Sequence, residues 1–178
     1  GPKMMKPEMM NPAMTGVQKI LSLLASLCGL YAVVTSFGSA VTPLIQFTAL
    51  LFLLAAARLF MRRLQAAQID LGLSFLGAVA VIPALEAGMG GTVWACIIAA
   101  WLQGWLAVEK TIARQTHRPK FGWFMAIAIP VFFGFWLLFF WEALTVGLNV
   151  PTVLLPPPSM IGARILVSTS ILMADFKQ

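Results

Sequence analysis

The sequence predicts an all-α integral membrane protein of about five transmembrane helices, with a cytoplasmic N-terminus and a C-terminal interfacial amphipathic helix on the outer side. Three observations lead there. Of 178 residues, 60% are hydrophobic and 10% charged, against about 25% charged in a soluble domain. The uncharged stretch 20–57 is long enough, as helix, to cross a hydrocarbon core of about 30 Å twice. The basic residues sit in loops that alternate with hairpins containing none, which is the asymmetry that orients multi-pass proteins. Soluble enzyme classes are excluded, and the net charge of +6 is dispersed over several loops rather than gathered into a nucleic-acid surface.

Residues 1–16 form a tail, expected to be mobile, whose Gly1-Pro2 start is set aside as a processed end. Met4, Met5, Met9, Met10 and Met14 crowd it. Thioethers suit Cu(I), but no His or Cys accompanies them, so no metal site is assigned. Four spans then make up a membrane extension, 17–113. The first, about 17–37, carries Leu, Ala, Ser and Gly at helical spacing and stops at Ser36-Phe37-Gly38-Ser39. No cleavable signal peptide is expected, because this segment runs directly into the next. The second, about 42–62, starts with a Thr42 cap and Pro43, whose missing N–H costs nothing at a first helical position. Spans three, about 69–86, and four, about 91–110, form a helical hairpin across Gly88-Met89-Gly90-Gly91. A basic loop, 114–120, leads to the aromatic fifth span, 121–147, in which Pro130 removes one backbone hydrogen bond and is expected to kink the helix. The Pro-rich segment 148–178 then lies outside, ending in an interfacial helix.

Assigning each basic residue to a side tests the five-span scheme. Lys3, Lys6 and Lys19, then Arg58, Arg62 and Arg63, then Lys110, Arg114, Arg118 and Lys120 all fall inside, while the outer hairpins 37–41 and 87–91 carry no basic residue. The segment after span five then falls outside, in the periplasm or its equivalent.

Ionisable groups deep in a bilayer are costly and therefore informative, and here they are few. Asp70 and Glu109 map near the inner ends of spans, Glu86 and Glu142 near the outer ends, where all four are expected to reach water or headgroups. A transmembrane proton relay and catalysis are thus not predicted. Gln46 and Gln103 read as interhelical hydrogen-bond partners. His117 is the single histidine and lies in the basic loop, so histidine supplies no pigment or haem ligand within the membrane. Cys28 and Cys96 lie in apolar segments without metal-binding spacing. Arg114, Arg118 and Lys120 are candidates for lipid headgroups, each worth about 1 kcal/mol near an anionic surface. No cofactor is predicted, although hydrophobic gaps between helices leave room for lipid, quinone or pigment.

Small residues four apart mark packing faces: Ser22 with Ser26, Ala25 with Gly29, Ser74 with Ala78, Ala100 with Gly104. The fifth span carries Phe132, Phe133, Phe135, Trp136, Phe139, Phe140 and Trp141 around most of its circumference, with Trp123 near its start. Trp123 and Trp141 are placed to mark the two interfaces. These aromatics, with Ala100 and Gly104, are the candidate interface residues, suited to lipid or a flat hydrophobic partner.

The stretch 140–166 is the most distinctive, running from Phe140-Trp141-Glu142 to Leu155-Pro156-Pro157-Pro158-Ser159 and on to Leu166. Pro151 and Pro156 to Pro158 are expected to impose an extended crossing, after which Ser159 caps an amphipathic helix to about Ile171. This order resembles the N-terminal part of the permease subunit of bacterial ABC importers of the nitrate, sulfonate, taurine and bicarbonate group. Trp141-Glu142 is similar to the end of that family's first core span, and Leu155 to Ser159 to its Leu-Pro-x-Pro-Ser turn. The resemblance covers about 136–178, a quarter of the chain. It implies a non-catalytic membrane subunit, working with an ATPase and a solute-binding protein, and unable to transport alone because the family's ATPase-coupling loop has no counterpart in these residues. An alternative from a different class is an accessory subunit packed against a large photosynthetic or respiratory assembly. A small secondary transporter is weakest, since no inverted repeat or midplane polar cluster is visible.

Overall fold

The computed structural model describes residues 13–38, 43–61, 65–88, 90–115 and 122–176. Within them the chain is helical, with no strand: α1 (Gly16–Ser36), α2 (Pro43–Leu54) running into a 3-10 turn (Ala55–Leu59), α3 (Ala67–Leu85), α4 (Gly91–Gln115), α5 (Gly122–Gly147) and α6 (Pro158–Asp175). The methionine-rich residues before Met14 and the loop 116–121 lie outside the described residues, as does Thr42.

Local chemistry accounts for the helix ends. Thr15 and Gln18 form a reciprocal capping box at the start of α1, satisfying two of the N–H groups that a helix terminus leaves free. Pro43 opens α2, as expected. At the end of α5, Asn149 adopts a left-handed φ of 52°, while Val150 N–H donates to Thr145 O and Asn149 N–H to Val146 O. That pair of bonds is a Schellman closure.

Four helices are long and apolar enough to cross a membrane: α1, α3, α4 and α5. The element expected as the second span is shorter, 17 residues from Pro43 to Leu59. Its 3-10 ending partly offsets that: 12 α-helical residues at about 1.5 Å and five 3-10 residues at about 2.0 Å reach about 28 Å, close to the hydrocarbon thickness.

Packing follows the small residues. A Cβ at Gly77 would lie 2.7 Å from Ala100 Cβ and 2.7 Å from Phe52 Cζ, and one at Gly29 would lie 2.8 Å from Phe52 Cβ. These glycines let α2 and α4 approach α3, and α2 approach α1, more closely than any side chain allows. α3 and α4 run antiparallel, with Asp70 beside Lys110, Ser74 beside Gly104 and Gly77 beside Ala100. α1 and α4 are also antiparallel: Tyr31 meets Gly91, the Thr35 and Thr92 hydroxyls are 2.7 Å apart, and Leu21, Ala25, Leu102 and Leu106 share a cluster with Met14. Arg58, Asp70 and Lys110 therefore gather at one end of the bundle, and Thr35 and Thr92 at the other.

α5 lies against this bundle through one face only. Trp136, Phe139 and Ala143 join the main core, and Phe132 and Phe135 pack on Phe75 of α3 at ring separations of 6.3 and 5.0 Å. Within Ala126–Gly147 the most apolar 18-residue stretch is only 17% buried, against 61% for that within Gly91–Ala113 of α4. The helix continues through Pro130.

The segment after α5 is not the extended crossing that its prolines suggested. Leu154 and Leu155 N–H groups both donate to Pro151 O, so residues 151–155 coil into one turn. Proline lacks a donor but keeps a free acceptor, and here that carbonyl closes the turn. Nor does Ser159 cap α6. The helix begins at Pro158, and Pro157 O accepts from Met160 and Ile161 N–H.

Candidate functional site: a buried ion triad and an outer-end clamp

Asp70 corrects the sequence reading most sharply. Expected to reach water, it is 0% exposed, in the first turn of α3. Its Oδ1 accepts from Arg58 Nη1 and its Oδ2 from Lys110 Nζ, both at 2.6 Å. Arg58 and Lys110 are themselves only 9% and 7% exposed. Arg58 comes from the 3-10 turn, whose tight winding brings it to face α3, and its Nη2 reaches Ala66 O at 3.4 Å. Gln65 Nε2 donates to Arg58 O and Leu59 O, so the turn and the start of α3 are tied twice. Each carboxylate oxygen thus holds one cation, and the formal charge of the triad is +1.

Chemically this ties three elements together: Asp70 is fully buried and each of its oxygens is engaged by a cation. Buried ion pairs contribute modestly when intact and are costly to break, because the surviving charge stays desolvated. Among the described residues no group of three His, Cys, Asp or Glu side chains could hold a metal ion.

A signal for the triad was present. Asp70 lies one turn before Ser74, on the face that continues through Ala78. Lys110 lies on the α4 face that carries Gln103 and Ala107. Extending each small-residue face by a turn leads to both charged groups. Gln103 is likewise buried, yet its amide has no hydrogen-bond partner among the described residues, contrary to the interhelical bond expected. Ser74 Oγ and Trp136 Nε1 are in the same position, whereas Gln46 is exposed on α2.

At the opposite end, Glu142 of α5 accepts from Ser159 N–H at 2.9 Å and from Ser159 Oγ–H at 2.7 Å. A carboxylate at the start of α6 meets free N–H groups and the positive end of the helix dipole. Glu142, expected to face water or headgroups, is thus a clamp across 17 residues of sequence. Glu86, Leu85 and Ile82 of α3 border the same cleft with Glu142 and Ser159. Glu109, on α4, accepts from Trp105 Nε1 at 3.4 Å.

The candidate interface residues divide. Ala100, Gly104, Trp136 and Phe139 are buried within the chain; Phe132, Phe135, Phe140 and Trp141 are half-buried. Phe140 meets Trp101 edge-on at 5.9 Å. Trp123 and Phe133 remain exposed, as do Val131, Leu137 and Leu138, so the aromatic girdle has one inward and one outward side. Of the headgroup candidates, Arg114 falls in the last turn of α4, while Arg118 and Lys120 lie outside the described residues. Comparison with protein-family models, with curated proteins and with solved structures finds no match for this chain.

Proposed function

We propose that this chain is a non-catalytic subunit of a multi-pass membrane assembly, the N-terminal portion of an ABC importer permease, in which α1 to α4 anchor and α5 with α6 opens the translocation core. In this reading the chain crosses a bacterial inner membrane five times with its N-terminus cytoplasmic. The triad end of the bundle is then the cytoplasmic end and the Glu142 end the outer one. The observation that supports the permease reading is the Glu142–Ser159 clamp. It makes one structural unit of the two sequence features that resemble that family, the Trp141-Glu142 end of a span and the Pro-Pro-Pro-Ser turn. It also gives a physical reason for a carboxylate and a hydroxyl at that spacing. The outward side of α5 is left for further helices of the same assembly, and ATPase and solute-binding subunits would supply energy and substrate.

The extensive exposed apolar surface of α5 also suits the second reading, an accessory subunit seated on a photosynthetic or respiratory complex. Purification from native membranes in mild detergent, with mass spectrometry of everything co-migrating, separates the two. An ATP-binding subunit with a solute-binding protein is the expected result. Respiratory or photosynthetic subunits in their place would overturn the importer reading and establish the accessory one.

A further inference from the structure

Beyond the clamp, α6 forms one wall of a groove of about 520 Å³ whose other wall is the turn at 151–156. Its polar lining is Arg164, Ser168 and Thr169 from α6 and Thr152 from the turn. Arg164 makes no ion pair among the described residues, and Glu142, at α6's start, is engaged by Ser159. Thr169 bonds back to Ile165 O. The rest of the lining is apolar, including Val153, Pro156 and Ile165, and Val153 and Ile165 are exposed.

We propose that this groove binds an anionic phospholipid, with the headgroup phosphate on Arg164 and the upper acyl chain along the Val153 and Ile165 wall. The argument is chemical complementarity. A guanidinium presents a planar fork of donors that matches two phosphate oxygens, and hydroxyls at Ser168 and Thr152 can donate to the remaining ones. An arginine with no ion pair among the described residues, beside an apolar wall in a protein with membrane-spanning helices, is matched by a molecule with one charge and a hydrocarbon tail. The shared chemistry, a phosphate monoanion or dianion, is also that of inorganic phosphate, but a free ion has no use for the apolar wall. The site is separate from Arg114, Arg118 and Lys120 and does not depend on which assembly the chain joins.

The test uses the full chain in detergent, equilibrated with equal amounts of phosphatidylglycerol and phosphatidylcholine, and read by native mass spectrometry and by hydrogen exchange over residues 152–169. Wild type is expected to retain phosphatidylglycerol about fivefold over phosphatidylcholine at this site, the enrichment one basic side chain gives near a membrane surface. Phosphatidylglycerol should also slow exchange in 160–169. Arg164→Gln should lose both effects, and Ile165→Ser should weaken lipid retention while leaving the charge in place; both side chains are exposed, so neither change disturbs the core. Equal retention of the two lipids, or an unchanged Arg164→Gln, would overturn the proposal. So would displacement of the lipid by millimolar inorganic phosphate with no effect of Ile165→Ser, which would assign the groove to a free anion.

Discussion

Replacing Asp70 by Asn should be the most damaging conservative change in the described part of this protein. The substitution keeps shape and most hydrogen-bonding capacity but leaves the Arg58 and Lys110 charges, each 2.6 Å from the former carboxylate, facing one another in a buried site. Breaking a buried pair by removing one partner costs about 3–5 kcal/mol, which is roughly a hundred- to several-thousand-fold in the unfolding equilibrium. Lys110→Met should behave differently. It removes one of the two cations on Asp70, leaves the Arg58–Asp70 pair in place, and keeps an apolar stem at a buried position, so a cost of about 0–2 kcal/mol is expected. The double variant Asp70→Asn with Lys110→Met removes one of the two like charges that face the former carboxylate. It should be more stable than Asp70→Asn alone, a non-additive result that reports direct coupling. Unfolding in mixed micelles, followed by tryptophan fluorescence and far-ultraviolet circular dichroism, measures all three. If Lys110→Met costs more than Asp70→Asn, or if the two effects simply add, the reasoning that Asp70 holds two like charges together fails.

Three further outcomes follow from the same geometry. Glu142→Gln should weaken the hold on α6 by about 1–2 kcal/mol, seen as roughly tenfold faster hydrogen exchange at residues 159–162 with α3 and α4 unchanged; equal exchange would show the clamp to be inert. Gly77→Ala should destabilise by about 1–3 kcal/mol, since its Cβ would press on Ala100 and Phe52. Gly72→Ala, where a Cβ meets nothing within 4 Å, should stabilise by about 0.5–1 kcal/mol, and thermal midpoints shifting in the same direction would contradict the packing account. In a variant lacking Cys28 and Cys96, single cysteines at the exposed Phe60 and Val153 should be labelled from opposite sides of the membrane; labelling from one side would end the five-span topology.

Much of this architecture is legible along the chain because bilayer thickness and backbone hydrogen bonding constrain spans more tightly than water constrains soluble helices. Helix positions agree to within a few residues at most ends, and the small residues Ala25, Gly29, Ser74, Ala78, Ala100 and Gly104 all lie on buried faces. The capping box at Thr15 and Gln18 was equally readable as a Thr-x-x-Gln pattern but is easily passed over beside a methionine-rich tail. The second helical element ends at Leu59, short of the expected end near residue 62, because a 3-10 ending has no compositional mark distinct from an α-helical one.

What the sequence by itself determined is the solvent of this protein: an all-helical chain, apolar enough for the membrane, with its charges confined near helix ends and its small residues marking the faces that pack. Those properties depend on composition and on the helical period, which are local. Only the tertiary structure decided what the few charges do. Arg58 and Asp70 are 12 residues apart and Lys110 another 40, while Glu142 and Ser159 are separated by a whole turn and loop. Position near a helix end predicts access to water for a helix taken alone. Access is lost when neighbouring helices cover that end, and whether they do depends on the close approach at Gly29, Gly77 and Gly104, a relation between distant segments that no local pattern encodes.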